Sequence, residues 1–244
     1  MDSVLTSRPP QQALPPAIRG EPPPRHGGPV ALLRFLRANG MLTWGYAKLA
    51  LRLGWLKLRF RGRLHTDGLA FVGPGVKLEI GRDARLHLGR WSWIGHGCKI
   101  RAHEGEVRIG AKTVLGQECT ISAFQHISIG RECIVADRVM LIDFDHGVVE
   151  VERPIRQQGI YTRDVEVGSN VWIGYGACIL RGVRVGDNSV VGTNCVVTKD
   201  VPANAVVAGV PARIVRMRDV PERLRWPNPV EPDPTAWTTL PQPE

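Results

Sequence analysis

The chain has 244 residues, 43% hydrophobic and 23% charged, and a formal net charge of +9. That composition fits a soluble globular protein of one domain with appendages, long enough to bury a core without disulfides. It excludes collagen, because the 27 glycines and 19 prolines follow no three-residue period. The longest uncharged stretch of the apolar N-terminal region, residues 38–47, falls short of the ~20 residues that a membrane-spanning helix needs.

In chain order, residues 1–29 come first, with Asp2 and no apolar core near the start, unlike a secretory signal. Eight of the 19 prolines lie in 1–29 and seven in 221–244. Neither end has apolar periodicity, so 1–29 and 218–244 are expected to be Pro-rich tails that cannot offset their ordering entropy. Residues 30–63 carry Arg34, Arg37, Lys48, Arg52, Lys57, Arg59, Arg61 and Arg63 and no acid, a local charge of +8. Leu42, Tyr46, Leu49, Leu53 and Leu56 recur at helical spacing, whereas residues 56–61 alternate apolar and basic. The segment therefore reads as one or two basic amphipathic helices leading into a strand.

From about residue 76 an apolar residue recurs every six positions: Leu88, Ile94, Ile100; Ile109, Leu115, Ile121; Ile129, Val135, Leu141; Val167, Ile173, Ile179; Val185, Val191, Val197. A small residue follows most of them, as in Gly89, Gly110, Gly130, Gly168 and Gly186. Three hexads make a coil of eighteen residues, as from Val167 to Val185, and a hexad period with glycine turns marks a parallel β-helix. The step from Ile129 to Val167 is about twenty residues too long, so residues 142–164 must leave the stack as a protruding loop. Four of the five cysteines, Cys98, Cys119, Cys133 and Cys195, occupy the fourth position after a hexad residue, where Thr, Ser and Ala also occur. They read as small core residues, no CxxC being present, and with no secretory signal a reducing cytoplasm is the expected location.

The helix resembles the hexapeptide-repeat acyltransferases, whose coils are left-handed. The resemblance sharpens at Leu141-Ile142-Asp143-Phe144-Asp145-His146-Gly147, at Ser169-Asn170-Val171-Trp172-Ile173-Gly174, and at Ala208-Gly209-Val210-Pro211-Ala212-Arg213. These segments are similar to the sugar and polysaccharide O-acetyltransferases, among them the maltose and galactoside enzymes. The implied fold is mainly β, a left-handed β-helix over 64–217. The implied reaction moves an acyl group, by default acetyl, from acyl-CoA to a sugar or polysaccharide hydroxyl. His146 matches the family's loop base, a task suited to a neutral imidazole, with direct attack on the thioester and a backbone N–H at the oxyanion. Asp143 or Asp145 would orient it or bind the acceptor. Where the galactoside enzymes place an acceptor-binding Asn, this chain has Gly116 and Gln117. Trp172, Gly174, Thr193, Thr198, Lys199, Arg213 and Arg216 match positions around the cofactor, the cations suiting its phosphates. The family's cleft lies between subunits, which implies a homotrimer.

Two other functions compete. His126 and His146 are twenty residues apart and could stack on one edge, as a metal-dependent β-helix enzyme of carbonic-anhydrase type would need. A non-catalytic scaffold held at a membrane surface is the other. For residues 30–63 two readings stay open: contact with a membrane surface or acidic glycan, or a cap on the first coil. No nucleic-acid recognition motif accompanies the charge.

Overall fold

In a computed structural model, residues 28–38 and 40–218 are described. The expected Pro-rich tails lie outside the described residues except at their inner margins. The described residues fall into two units, 48–218 and 28–38 with 40–47, each taken by itself. Helix α1, Pro29–Ala38, belongs to the second and buries none of its residues.

Helix α2 spans Trp44–Arg59. The strand expected at 56–61 does not form. The helix instead runs through Arg59, and the Phe60 N–H donates to the Leu56 carbonyl at 2.9 Å. Helical spacing brings Leu53, Leu56 and Phe60 to one buried face, where they join the core of the first coil with Leu64, Ala70 and Val72. The Arg52 guanidinium donates to the Val76 carbonyl at 3.3 Å, and that of Arg63 to Ile80 at 2.7 Å. This half of the basic segment therefore caps the β-helix, closing an apolar end that would otherwise face water.

The helix then stacks coil on coil. Coil one contains β1 (Leu64–Thr66), β2 (Phe71–Val72) and β3 (Lys77–Ile80); coil two β4 (Arg85–Leu88), β5 (Trp93–Ile94) and β6 (Lys99–Ala102). Coil three contains β7 (Glu106–Ile109), β8 (Val114–Leu115) and β9 (Thr120–Ala123); coil four β10 (His126–Ile129), β11 (Ile134–Val135) and β12 (Met140–Ile142). An insertion follows, with β13 (Phe144–His146) and β14 (Ile160–Thr162) paired antiparallel. Coil five contains β15 (Val165–Val167), β16 (Trp172–Ile173) and β17 (Cys178–Ile179); coil six β18 (Arg184–Val185), β19 (Val190–Val191) and β20 (Val196–Val197). Strand β21 (Ala205–Ala208) extends the second face, and β22 (Arg213–Met217) returns antiparallel along it. The order is β1-β4-β7-β10-β15-β18 on face one, β2-β5-β8-β11-β16-β19-β21 on face two, and β3-β6-β9-β12-β17-β20 on face three.

The hexad residues form the interior columns. Leu88, Ile109, Ile129 and Val167 stack on face one, and Ile94, Leu115, Val135, Ile173 and Val191 on face two, all 3% exposed or less. The small residues follow from corner geometry: a Cβ on Gly130 would lie 2.4 Å from the Gly168 carbonyl oxygen of the next coil. Beside that column the chain turns through positive φ at Asn170, Asn188 and Asn204, a conformation asparagine tolerates better than most residues.

The fourth hexad position has its own logic. The Cys98, Cys119 and Cys133 thiols donate to corner carbonyls of the next coil (Gly116, Ala136 and Gly168) at 3.0–3.1 Å. Thr113 and Ser189 do the same to Gly130 and Pro202 at 2.6 and 2.8 Å. A small donor fits here, and the thiols are interior groups. A side-chain hydrogen bond with Cys98, then burial, pushes the Cys119 thiol up; burial does so for Cys133. The bond to Cys119 draws the Cys98 thiol down, yet Cys98 is fully buried. Cys178 departs from the expected inward set: it precedes the inward Ile179 and lies partly exposed.

Leu56→Ala should lower stability by ~2–5 kcal/mol, the range for emptying a buried leucine site. Leu58→Ala, on the exposed side of the same helix, should change it by less than about 0.5 kcal/mol. Urea unfolding of the two variants checks the cap.

Candidate active site

His146 sits on a hairpin that interrupts the corner between face three and face one. Elsewhere at this corner the ladder is regular: the His103 N–H donates to the Ala123 carbonyl of the next coil at 2.8 Å. One coil later that partner is diverted, because the Asp143 carbonyl accepts from the Arg163 N–H at the hairpin's base at 2.9 Å. The Asp143 carboxylate takes its place. It accepts the backbone N–H groups of Phe124, Gln125 and His126, each at 2.8 Å, and the residue is fully buried. Asp143 was expected to orient the base or bind the acceptor. Its bonds assign it instead to closing the ladder where the chain leaves it.

Further contacts hold the hairpin from both sides. Gln125 accepts from the Thr162 hydroxyl and donates to the Asp164 carboxylate, both at 2.7 Å. The His103 ring stacks on Phe124 with centroids 4.3 Å apart, and Phe124 meets Phe144 edge-on at 4.6 Å. Phe144 in turn lies edge-on to His146 at 6.4 Å. From the following coil, Arg181 Nε donates to Asp145 Oδ2 at 2.7 Å, so Asp145 is engaged with Arg181. His146 itself is exposed, at the end of β13 opposite Ile160. The outcome is an accessible imidazole on a backbone fixed at both ends.

The remaining expected residues divide between positions. Thr198 and Lys199 lie exposed at the same corner as His146, on coil six. Gln117, Gly174 and Thr193 line the corner between faces two and three; Gln117 is exposed, and its N–H donates to Asp137 at 2.6 Å. A Cβ on Gly174 would lie 2.7 Å from the Thr193 nitrogen, so these two are stacked neighbours. Trp172 stands on the outer side of face two between Ile134 and Val190, 54% exposed. Arg213 and Arg216 are exposed on β22. Among the described residues, Lys199, Arg213 and Arg216 form no ion pair, unlike Arg181 and Arg184.

His126 and His146 do not form the stacked pair. His126 lies in β10 with its ring nitrogen 4.0 Å from Glu106, while His146 is carried off in the hairpin. Among the described residues no group of three His, Cys, Asp or Glu is placed to hold a metal ion. Nor is any described helix long and apolar enough to cross a membrane.

Residues 164–199 match the family described as bacterial transferase hexapeptide (six repeats), and 106–136 match the hexapeptide repeat of succinyl-transferase. The chain is 37% identical over 186 residues to a galactoside O-acetyltransferase of Lactococcus lactis, covering 66% of this chain and 88% of that one. It belongs to the hexapeptide-repeat acyltransferase family. A probable acetyltransferase of Mycobacterium tuberculosis is 36% identical over 195 residues, 78% of this chain; the match spans 64% of that relative's length. Among solved structures, a mutant of AntD, an N-acyltransferase from Bacillus cereus, shares the fold. The TM-score is 0.57 at 16% identity, covering 67% of this chain and 89% of that one.

Sequence reasoning missed the anchors Phe124, Gln125, Arg181 and His103. Their signal was positional: His103, Phe124 and Phe144 follow one another at one-coil spacing on the interrupted corner. Replacing the buried Asp143 by Ala should leave three part-buried N–H groups without their acceptor and cost about 1–3 kcal/mol in all. Asp145→Ala breaks an exposed pair and should cost under about 1 kcal/mol. Chemical denaturation of the two variants separates these roles.

Proposed function

We propose that this protein is an acyl-CoA-dependent O-acyltransferase, by default an acetyltransferase, that modifies a hydroxyl of a sugar or polysaccharide with His146 as general base. The observation that carries the reading is the exposed imidazole on a hairpin locked into the coil ladder, in a chain related over most of its length to a galactoside O-acetyltransferase. Acyl-CoA, when bound, supplies an acyl group activated as a thioester. His146 takes the acceptor hydroxyl's proton as that oxygen bonds to the acyl carbon. A backbone N–H is expected to stabilise the charge developing on the carbonyl oxygen. Lys199, Arg213 and Arg216 hold phosphates, and Trp172 offers a flat apolar surface to the pantetheine arm or the sugar. The buried thiols of Cys98, Cys119, Cys133 and Cys195 fit direct transfer with no acyl-cysteine, and the free cysteines fit a cytoplasmic location.

The site is proposed to be shared between copies of a homotrimer. His146 lies at one corner, and Gln117, Gly174 and Thr193 at another, with face three between them. A neighbouring copy that packs its face-two corner against the hairpin would join the two groups in one cleft. Gln117, beside Gly116, would then stand where the galactoside enzymes have their acceptor-binding Asn, so the acceptor pocket differs from theirs and their acceptor is not carried over.

Two measurements check this. His146→Ala should lower kcat by ~10²–10⁴ while light scattering shows the parent's assembly, the range for losing a general base. Turnover at the parent's rate would remove the assignment. Mixed assemblies of His146→Ala and Thr193→Arg subunits, each inactive alone, should recover activity. No recovery would place the whole site within one chain.

A further inference from the structure

Helix α2 has a second apolar face. Leu53 and Leu56 are turned into the first coil, but Trp44, Leu51, Trp55 and Leu58 recur at spacings of seven, four and three residues on the opposite side. These four are 69%, 67%, 54% and 73% exposed. An ordinary cap would show solvent a polar back. Here the back carries two indoles and two leucines, and Arg59 lies over the Trp55 ring at 5.3 Å from its centroid. Arg52 and Arg63 are used up on coil-one carbonyls, and Lys57 reaches the Thr66 hydroxyl at 3.3 Å. Arg59 and Arg61 remain exposed beside the apolar stripe, and no acid occurs between residues 30 and 63.

We propose that the outer face of α2 docks the protein on an anionic lipid surface, with Leu51, Trp55 and Leu58 in the headgroup–acyl boundary and Arg59 and Arg61 on the lipid phosphates. Charge decides among occupants. A folded protein partner would be matched by charges of both signs, whereas every charged side chain of the segment that carries the stripe, residues 30–63, is basic, as suits a surface of one negative sign. Tryptophan beside leucine and arginine fits a boundary that is apolar on one side and charged on the other. The inward stripe fixes the helix on coil one, so docking holds the β-helix at the membrane with no change in fold. Both readings of the basic segment are then satisfied by opposite sides of one helix.

The test is co-sedimentation of the full chain with vesicles of phosphatidylcholine alone or of phosphatidylcholine with phosphatidylglycerol. The protein should sediment with the anionic vesicles, stay in solution with the neutral ones, and be released by raised salt. Replacing Leu51, Trp55 and Leu58 together by Gln should weaken partition about tenfold or more with the unfolding midpoint unchanged. Arg59→Glu with Arg61→Glu should weaken it through charge alone. Failure of the parent to bind anionic vesicles, or a glutamine variant that sediments as the parent does, overturns the proposal. So does a glutamine variant that changes the oligomeric state by light scattering, which would make the face a contact between copies.

Discussion

The structure rests on one constraint: each coil's backbone hydrogen-bonds to the next with no vertical slack. At the corners the coils approach so closely that a Cβ on Gly105 or Gly130 would overlap the carbonyl of the coil above. Every coil must therefore repeat the last one's path, and side chains fall into columns. The hydrophobic interior follows from this, and so do the small residues at the turns and the Cys, Thr and Ser donors beneath corner carbonyls. An unpaired ladder group would be buried and costly, which is why the one large interruption needs a substitute acceptor.

That substitute, Asp143, links the fold to the chemistry. Inserting a hairpin diverts the carbonyl that the preceding coil would use, and the carboxylate restores three bonds at once. The hairpin then leaves the stack from a rigid root, with Gln125 below and Arg181 above. A loop held this way can present an exposed imidazole with little conformational freedom, which a positioned base requires. The β-helix contributes no motion to this arrangement; it contributes register. In the proposed trimer the same register would align three identical corners with three identical hairpins.

The repeat was legible in the sequence because it recurs. Ile109, Leu115 and Ile121 predict their own burial once the six-residue period is seen, and the length from Ile129 to Val167 locates the insertion. His146 is singled out as a candidate only through family resemblance, since nothing in its spacing distinguishes it from His126. The end of α2 was misread because Leu56 and Phe60, four apart, fit both a two-residue and a helical period; packing on coil one settles it through Leu53, which a strand beginning at 56 would not include, and through Leu58, which a helix turns outward. The role of Asp143 was hidden because its partners lie seventeen to nineteen residues back, across a coil whose register its own insertion breaks. Such contacts belong to the closed ladder rather than to any local pattern.

The central claim is that His146 is the base of a site completed by another copy's corner. A crystal structure with coenzyme A and a glycoside acceptor tests it directly. The account predicts an acceptor hydroxyl about 2.6–3.2 Å from a His146 ring nitrogen, with the coenzyme lying along the Gly174 and Thr193 corner of the adjacent copy. A coenzyme bound wholly within one chain, or an acceptor out of reach of His146, would contradict it.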